Sequence, residues 1–416
     1  VSLIVKKRRE HGIAYAVFSS CVSEGNRANG FAFIGQFGTI RMKAKQLMKI
    51  NNQGVDEMKI PPLKIGDETV SIPIIQGGMG VGVSLSKLAS AVANAGGIGV
   101  IASVQIGFEE PDFFTNNNEA NVRGLQKHIR KAKELSPAGT LGVNIMVAVQ
   151  NYKEMVRTAV EEKIDLIISG AGLPSELPAL VKGSNTKIAP IVSSGKAAAL
   201  IAKMWDRKYQ VLPDLVIVEG PDAGGHLGFS EEQLNAPEKP KLETMVQEVM
   251  ASLKQYEEKY RKKIPVIAAG GIFDGNDIAR YLKLGASGVQ MATRFVATKE
   301  CDAGEEFKEA YLNSTEETIG LVKSPVGMPG RAIINEFVEK MNQGNIPTTR
   351  CTNCLKPCNP ATTPYCITEA LMNSVTGSAK EGLIFAGKNA YRISGIVSVK
   401  ELMEELVKET ETALAT

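Results

Sequence analysis

From residue 73 onward the chain repeats one pattern eight times: a short continuous apolar run ends in glycine or a small polar residue, and a stretch with helical spacing follows. The runs are PIIQG (73–77), IGVIAS (98–103), TLGVNIM (140–146), IDLIISG (164–170), KIAPIVS (187–193), DLVIVEG (214–220), IPVIAAGG (264–271) and GVQMATRF (288–295). Strands without apolar/polar alternation are buried on both faces, which in turn implies parallel pairing under covering helices. Among those helices are 84–96, 241–263 and 276–285. Eight such units fit an α/β fold closed as a (β/α)8 TIM barrel better than an open doubly wound sheet, which is the alternative.

Three regions are expected. Residues 1–57 begin with Val, carry KKRRE (6–10) and keep no helical or strand period, so they read as a non-native or disordered extension, with the chain restarting at MKIPPLKIGD (58–67). Residues 58–299 form the barrel. Residues 300–416 break the alternation and are expected to form a small cysteine-containing lid subdomain that contributes to substrate specificity, with helical stretches at 367–375 and 399–409, the last returning to the barrel wall. A formal charge of +3 with no basic stripe and no interleaved aromatics argues against a nucleic-acid partner. No run of eighteen apolar residues is available to span a membrane, and a cytoplasmic enzyme is expected.

In barrels of this kind the chemistry collects where strands end. Here those ends read QGGMG (76–80), Asn144 within GVNIM, SGAG (169–172), Ser193–Ser194, EGPDAGGH (219–226), AAGG (268–271) and MATRF (291–295). Glycine lets backbone approach a ligand closely, and free N–H groups at a helix start bind phosphate. The ends of strands seven and eight are the usual phosphate position in barrels. Neither a G-x-G-x-x-G in dinucleotide context nor a G-x-x-x-x-G-K-[ST] is found, which favours a phosphorylated cofactor on the barrel top over a Rossmann site. His226 is one of only three histidines and lies among glycines. Its plain alternative is a solvated residue in a turn.

In order along the chain, PIIQGGMG, AGGIGVIAS, GVNIM, SGAG with its proline, EGPDAGGHLG, PVIAAGGI and GVQMATRF resemble the nitronate monooxygenase (2-nitropropane dioxygenase) family, which is similar to the FMN-dependent enoyl-acyl-carrier-protein reductases. The resemblance implies an FMN-binding barrel. It places Gly77, Gly78 and Met79 along the flavin, Asn144 in contact with it, Gly224 and Gly225 at its border, and Gly270, Gly271, Ala292 and Thr293 at its phosphate. It makes His226 the active-site histidine. The implied activity is oxidation of small alkyl nitronates with O2. The rival is an NAD(P)H-dependent enoyl-thioester reductase, and a homodimer is compatible with either. Met79 reads equally well as core packing, and Arg294 as a phosphate ligand or a salt-bridge partner. Glu219, Lys87 and Asp222 are candidates to tune His226, with a solvated surface role the simpler reading of the last two.

Four of six cysteines form a C-x2-C-x3-C-x7-C array, Cys351, Cys354, Cys358 and Cys366. In a reducing compartment clustered thiols bind metal more often than they pair. A [4Fe–4S] cluster, a zinc ion or free structural thiols are the alternatives, the first implying electron transfer and the second a structural clip. The start of the array also resembles the cluster segment of some flavin-dependent dienoyl reductases, with a shorter last interval. Cys301 and Cys21 read as isolated thiols.

Overall fold

A computed structural model describes residues 60–377 and 379–416. The reading of residues 1–57, Cys21 included, lies outside the described residues.

The chain opens with a hairpin of β1 (Leu63–Ile65) and β2 (Glu68–Val70). Eight parallel strands follow and close into a barrel: β3 (Ile74–Gln76), β4 (Ile98–Ala102), β5 (Thr140–Met146), β6 (Leu166–Gly170), β7 (Lys187–Val192), β8 (Val216–Glu219), β10 (Val266–Ala269) and β11 (Gly288–Met291), with β11 returning to pair with β3. The eight expected runs are these eight strands, and the (β/α)8 barrel is confirmed. Its interior is filled by inward residues of alternate positions, among them Ile75, Ile98, Val100, Ile168, Ile217 and Ile267. Leu63, Ile65 and Val70 of the opening hairpin join the same cluster and plug the N-terminal end of the barrel. Fully burying each of these side chains contributes about 1.5–3 kcal/mol. The hairpin was not anticipated: its two strands are three residues each, too short to give a period.

The seam between β3 and β4 pairs only at Ile75 and Ile98. The fully buried Gln76 side chain extends it, accepting from Val100 N–H at 3.0 Å and donating to Val100 carbonyl at 3.2 Å. An unsatisfied amide in this position would cost about 1–3 kcal/mol, so the pair of bonds fixes the start of the QGGMG loop.

The expected final strand is shorter than its apolar run. The ladder ends at Met291, and Thr293–Val296 turn into a short helix, because the chain must leave the barrel rim there. Helices Ser86–Asn94, Leu242–Tyr260 and Gly275–Leu284 form part of the outer layer. The last helix, Val399–Ala415, starts in a capping box of Ser398 and Glu401 and packs along the barrel wall against Gly275–Leu284. The crossing is close at Gly275, where a side chain would collide with the backbone of Glu409 and Thr410, and Gly275 N–H donates to the Glu409 carboxylate at 2.8 Å.

Residues after β11 run across the C-terminal end of the barrel. There β12 (Ile319–Val322) and β13 (Gly330–Ile333) form an antiparallel hairpin that recruits a two-residue strand, β9 (Gly225–His226), from the loop after β8. Asp302 ties this cover down: its carboxylate accepts from the N–H groups of Leu85, Lys87 and Leu88, satisfying the free donors at the start of Ser86–Asn94. Among the described residues no helix is long and apolar enough to cross a membrane.

Candidate active site

Between the strand ends and the cover lies a cavity with about 1440 Å3 of empty space, its open mouth included. Its floor is mostly backbone. Gly77, Gly78, Met79 and Gly80 come from the end of β3, Asn144 from β5, Gly170 from β6, Glu219 from β8, and Gln290, Ala292 and Thr293 from the end of β11. A β-carbon on Gly78 would run into the Asn144 side chain, so the loop lies flat across β5 only because this residue is glycine.

Of the sequence candidates, Gly77, Gly78, Met79, Asn144, Gly224, Gly225, His226, Ala292 and Thr293 are gathered round this one cavity. Gly270 and Gly271 are not on its lining. Both have left-handed backbones, at φ 90° and 83°, and they tuck under the turn that follows β8: Gly270 faces the Gly220 carbonyl and Ala223, and Gly271 faces Asp222. The Gly271 carbonyl is taken by Asn389 at 2.7 Å. Arg294 resolves to its salt-bridge reading, bonded to Glu405 at 3.0 Å and lying over the Phe273 ring. Lys87 is exposed, and Asp222 pairs with Lys388 at 3.7 Å near the surface.

His226 sits on β9, paired with Gly330. Its Nε2 lies 2.7 Å from Ser324 Oγ, and its ring meets Phe385 edge-on at 4.9 Å. Burial, with no carboxylate beside it, pushes the imidazole down to about 4, so the ring is neutral at physiological pH. Burial acts oppositely on Glu219, raising that carboxyl to about 7. The loop carrying His226 is pinned by Arg331, whose buried guanidinium donates to the carbonyls of Pro221 and Ala223 at 2.6 and 2.7 Å.

The cover contributes side chains rather than backbone. Phe307, Tyr311, Val326, Leu355, Leu371, Leu383 and Phe385 roof the cavity. Tyr311 donates to the Phe385 carbonyl at 2.5 Å and holds that strand of chain in place. Gly387 closes against Thr293, and Ala386 against Gly224. Ser324, Arg331, Phe385 and Gly387 were not found from sequence. Gly387 had a usable signal, since LIFAGK (383–388) repeats the apolar-then-glycine pattern of the strand ends. Ser324 and Arg331 had none, because their roles depend on the register of β13 against β9.

The four array cysteines line a second, smaller cavity together. Among the described residues, however, no three His, Cys, Asp or Glu groups are gathered so as to hold a metal ion. The expected metal-ligand arrangement is therefore not found in this structure. Cys301 is buried in the cover, as an isolated thiol pointing to the Val83 carbonyl at 3.5 Å.

Comparison with known proteins agrees with this geometry. A family model described as nitronate monooxygenase matches residues 62–409. A probable nitronate monooxygenase of Staphylococcus haemolyticus is 28% identical over 380 residues, covering 83% of this chain and 96% of that one. A Mycobacterium tuberculosis protein, named as a (3aS,4S,5R,7aS)-5-hydroxy-7a-methyl-1-oxo-octahydro-1H-indene-4-carboxyl-CoA dehydrogenase, is 30% identical over 273 residues, 66% of each chain. The solved structure of FabK from Thermotoga maritima superposes with a TM-score of 0.65 at 28% identity, over 83% of this chain and 94% of that one.

Proposed function

The chain belongs to the nitronate monooxygenase family, and on that premise we propose that it is an FMN-dependent oxidoreductase that oxidises small alkyl nitronates with O2, His226 being its proton acceptor when a neutral nitroalkane is offered. The observation that carries this reading is the neutral, desolvated imidazole of His226 on the wall of a glycine-floored cavity. The cavity fits a flavin: flat backbone at Gly77 and Gly78 for an aromatic ring system, side-chain amides of Asn144 and Gln290 for its polar edge, and Ala292, Thr293 and Gly387 at the rim for a phosphate. FMN, when bound there, supplies the electron acceptor, and the protein supplies position and proton handling.

In the tautomer that donates Nε2–H to Ser324 Oγ, Nδ1 carries the lone pair and takes the proton from the carbon beside the nitro group. The Val326 N–H donates to the same hydroxyl at 3.3 Å, which keeps Ser324 in place. Phe385 and its apolar neighbours exclude water, so the ring stays neutral until substrate arrives. Ser324→Ala is expected to lower turnover of neutral nitroalkane while leaving turnover of preformed nitronate near its original rate. Equal losses on both substrates would remove His226 from the proton step.

A second reading, an NAD(P)H-dependent enoyl-thioester reductase, is supported by the apolar roof and by the CoA thioester in one relative's name. It needs a proton donor, which a carboxyl raised to about 7 at Glu219 could serve as and a neutral His226 could not. Anaerobic mixing with propyl-2-nitronate, and separately with NADH or NADPH, discriminates the two by which one bleaches the flavin.

A further inference from the structure

Gln105 is a buried amide on the cavity wall that no step described above uses. It sits in the turn after β4, only 6% exposed, with a left-handed backbone at φ 48° that a residue other than glycine seldom adopts. Its orientation is imposed from outside the cavity. Gly107 N–H donates to Asn121 Oδ1 at 3.0 Å, which leaves Asn121 Nδ2 to donate to the Asn117 carbonyl at 2.9 Å and to Asn117 Oδ1 at 3.1 Å. Asn117, the first residue of helix Asn117–Leu135, must then present its own Nδ2, which donates to Gln105 Oε1 at 2.8 Å. One backbone N–H thus sets three amides in series.

The series ends on Gln105 Nε2, which carries two N–H donors. Among the described residues Nε2 has no acceptor. It is not sealed in the interior, unlike the unpartnered hydroxyls of Ser136, Thr348 and Thr352. Polar groups on buried side chains are nearly always paired, so a donor left open on a cavity wall points to an acceptor that arrives with a ligand.

We propose that Gln105 Nε2 is the donor for an anionic oxygen of the substrate, a nitronate oxygen on the reading above. No Lys or Arg is among the described residues that line the cavity, so an anion there has to be met by neutral donors. Two hydroxyls of the cover are already committed, Thr368 to the Cys354 sulfur and Ser374 to the Leu371 carbonyl. When a nitroalkane gives its α-proton to His226 Nδ1, the C–H electron pair becomes the second bond of C=N and the N=O pair moves onto oxygen. Charge therefore develops on oxygen during the step, and a donor fixed before the substrate enters stabilises it without reorganising. The identity of the acceptor rests on the nitronate reading, while the open donor does not.

The test uses the full chain with isobutyrate, an unreactive carboxylate analogue of propyl-2-nitronate, its binding followed by calorimetry. FMN content and anaerobic bleaching by propyl-2-nitronate are measured separately. Gln105→Leu deletes the donor. Gln105→Glu keeps the oxygen that Asn117 holds but turns the open end into an acceptor, so the turn stays pinned while the anion is repelled. Isobutyrate should bind about 10- to 100-fold more weakly to Gln105→Leu, the range for a hydrogen bond to a charged group. It should bind more weakly still to Gln105→Glu, with KM for nitronate moving alike and FMN content unchanged. Equal binding by Gln105→Glu and the unaltered chain would reduce the amide to a support for its loop and overturn the proposal. No isobutyrate bound by the unaltered chain, or FMN lost from either variant, would overturn it as well, the latter by making the amide a cofactor ligand. A flavin that nitronate does not bleach, beside isobutyrate binding that depends on Gln105, would keep the donor and sink the nitronate reading; bleaching with an unchanged KM in both variants would do the reverse.

Discussion

The two walls of the active cavity are built on different principles. The barrel wall presents backbone, at Gly77, Gly78 and Gly225, with Asn144 and Gln290 as its polar side chains, whereas the cover presents rings and aliphatic side chains from Phe307, Leu371, Leu383 and Phe385. Backbone at a strand end is fixed by the barrel ladder and cannot vary without moving the fold. Side chains on a cover can be exchanged while the fold stays. On the proposed function, the difference assigns cofactor binding to the barrel wall and substrate choice to the cover. His226 belongs to both, since it leaves β8 with the barrel and is paired by β13 of the cover.

That contrast can be broken most severely at Gly78. In Gly78→Ala the added methyl would strike Asn144, and flavin content is expected to fall at least tenfold, equivalent to about 1.4 kcal/mol of lost affinity. Retained stoichiometric FMN would show that the barrel wall is not the cofactor's bed. Next comes His226→Asn, which should keep FMN and lose about 10²- to 10⁴-fold in turnover of neutral nitroalkane, measured beside preformed nitronate as the control. Arg331→Ala removes the clamp on the His226 loop and is expected to destabilise by about 2–3 kcal/mol, read as a shifted urea midpoint. At the small end, Val326→Ala trims the cover only: KM for nitronate should rise about 3- to 10-fold, on ~0.8 kcal/mol per buried methylene, with FMN content unchanged.

Titration sharpens the same comparison. The unfolded chain protonates His226 near 6.5, but the folded chain resists until about 4, so this residue's contribution to stability is present above 6.5 and lost as pH falls through that window. Glu219 runs the other way: the folded chain keeps its proton to about 7 and the unfolded chain releases it near 4.5, so its contribution is present below 4.5 and lost as pH rises through 7. Melting temperature against pH should lose its acid-side slope in His226→Asn and its slope toward neutral pH in Glu219→Gln.

How much of this was legible follows the same division. The barrel could be read because its rule is local: an apolar run, then glycine, then a helix, eight times over. The candidate residues on strand ends inherited that legibility, and so the glycines of 77–78 and 224–225, with Asn144 and His226, could be named as candidates and lie round one cavity. Gly270 and Gly271, named on the same ground, lie off that lining, and glycine at a strand end serves equally to make the tight packing under residues 220–223 that they show here. Ser324, Arg331 and Phe385 were illegible, since their value comes from antiparallel register and docking across more than ninety residues of chain, as in the 98-residue separation of His226 and Ser324. The cysteines were conspicuous as a spacing, yet spacing alone could not show that the described residues gather no group able to hold a metal ion.

If the barrel cavity holds FMN and nitronate electrons pass to that flavin, the visible spectrum of the purified chain, mixed without oxygen with propyl-2-nitronate, reads it out. The expected result is a yellow protein with about one FMN per chain that bleaches on mixing and regains its colour when air is admitted. A protein that binds no FMN, or one whose flavin stays oxidised with nitronate yet bleaches with NADH or NADPH, would contradict it.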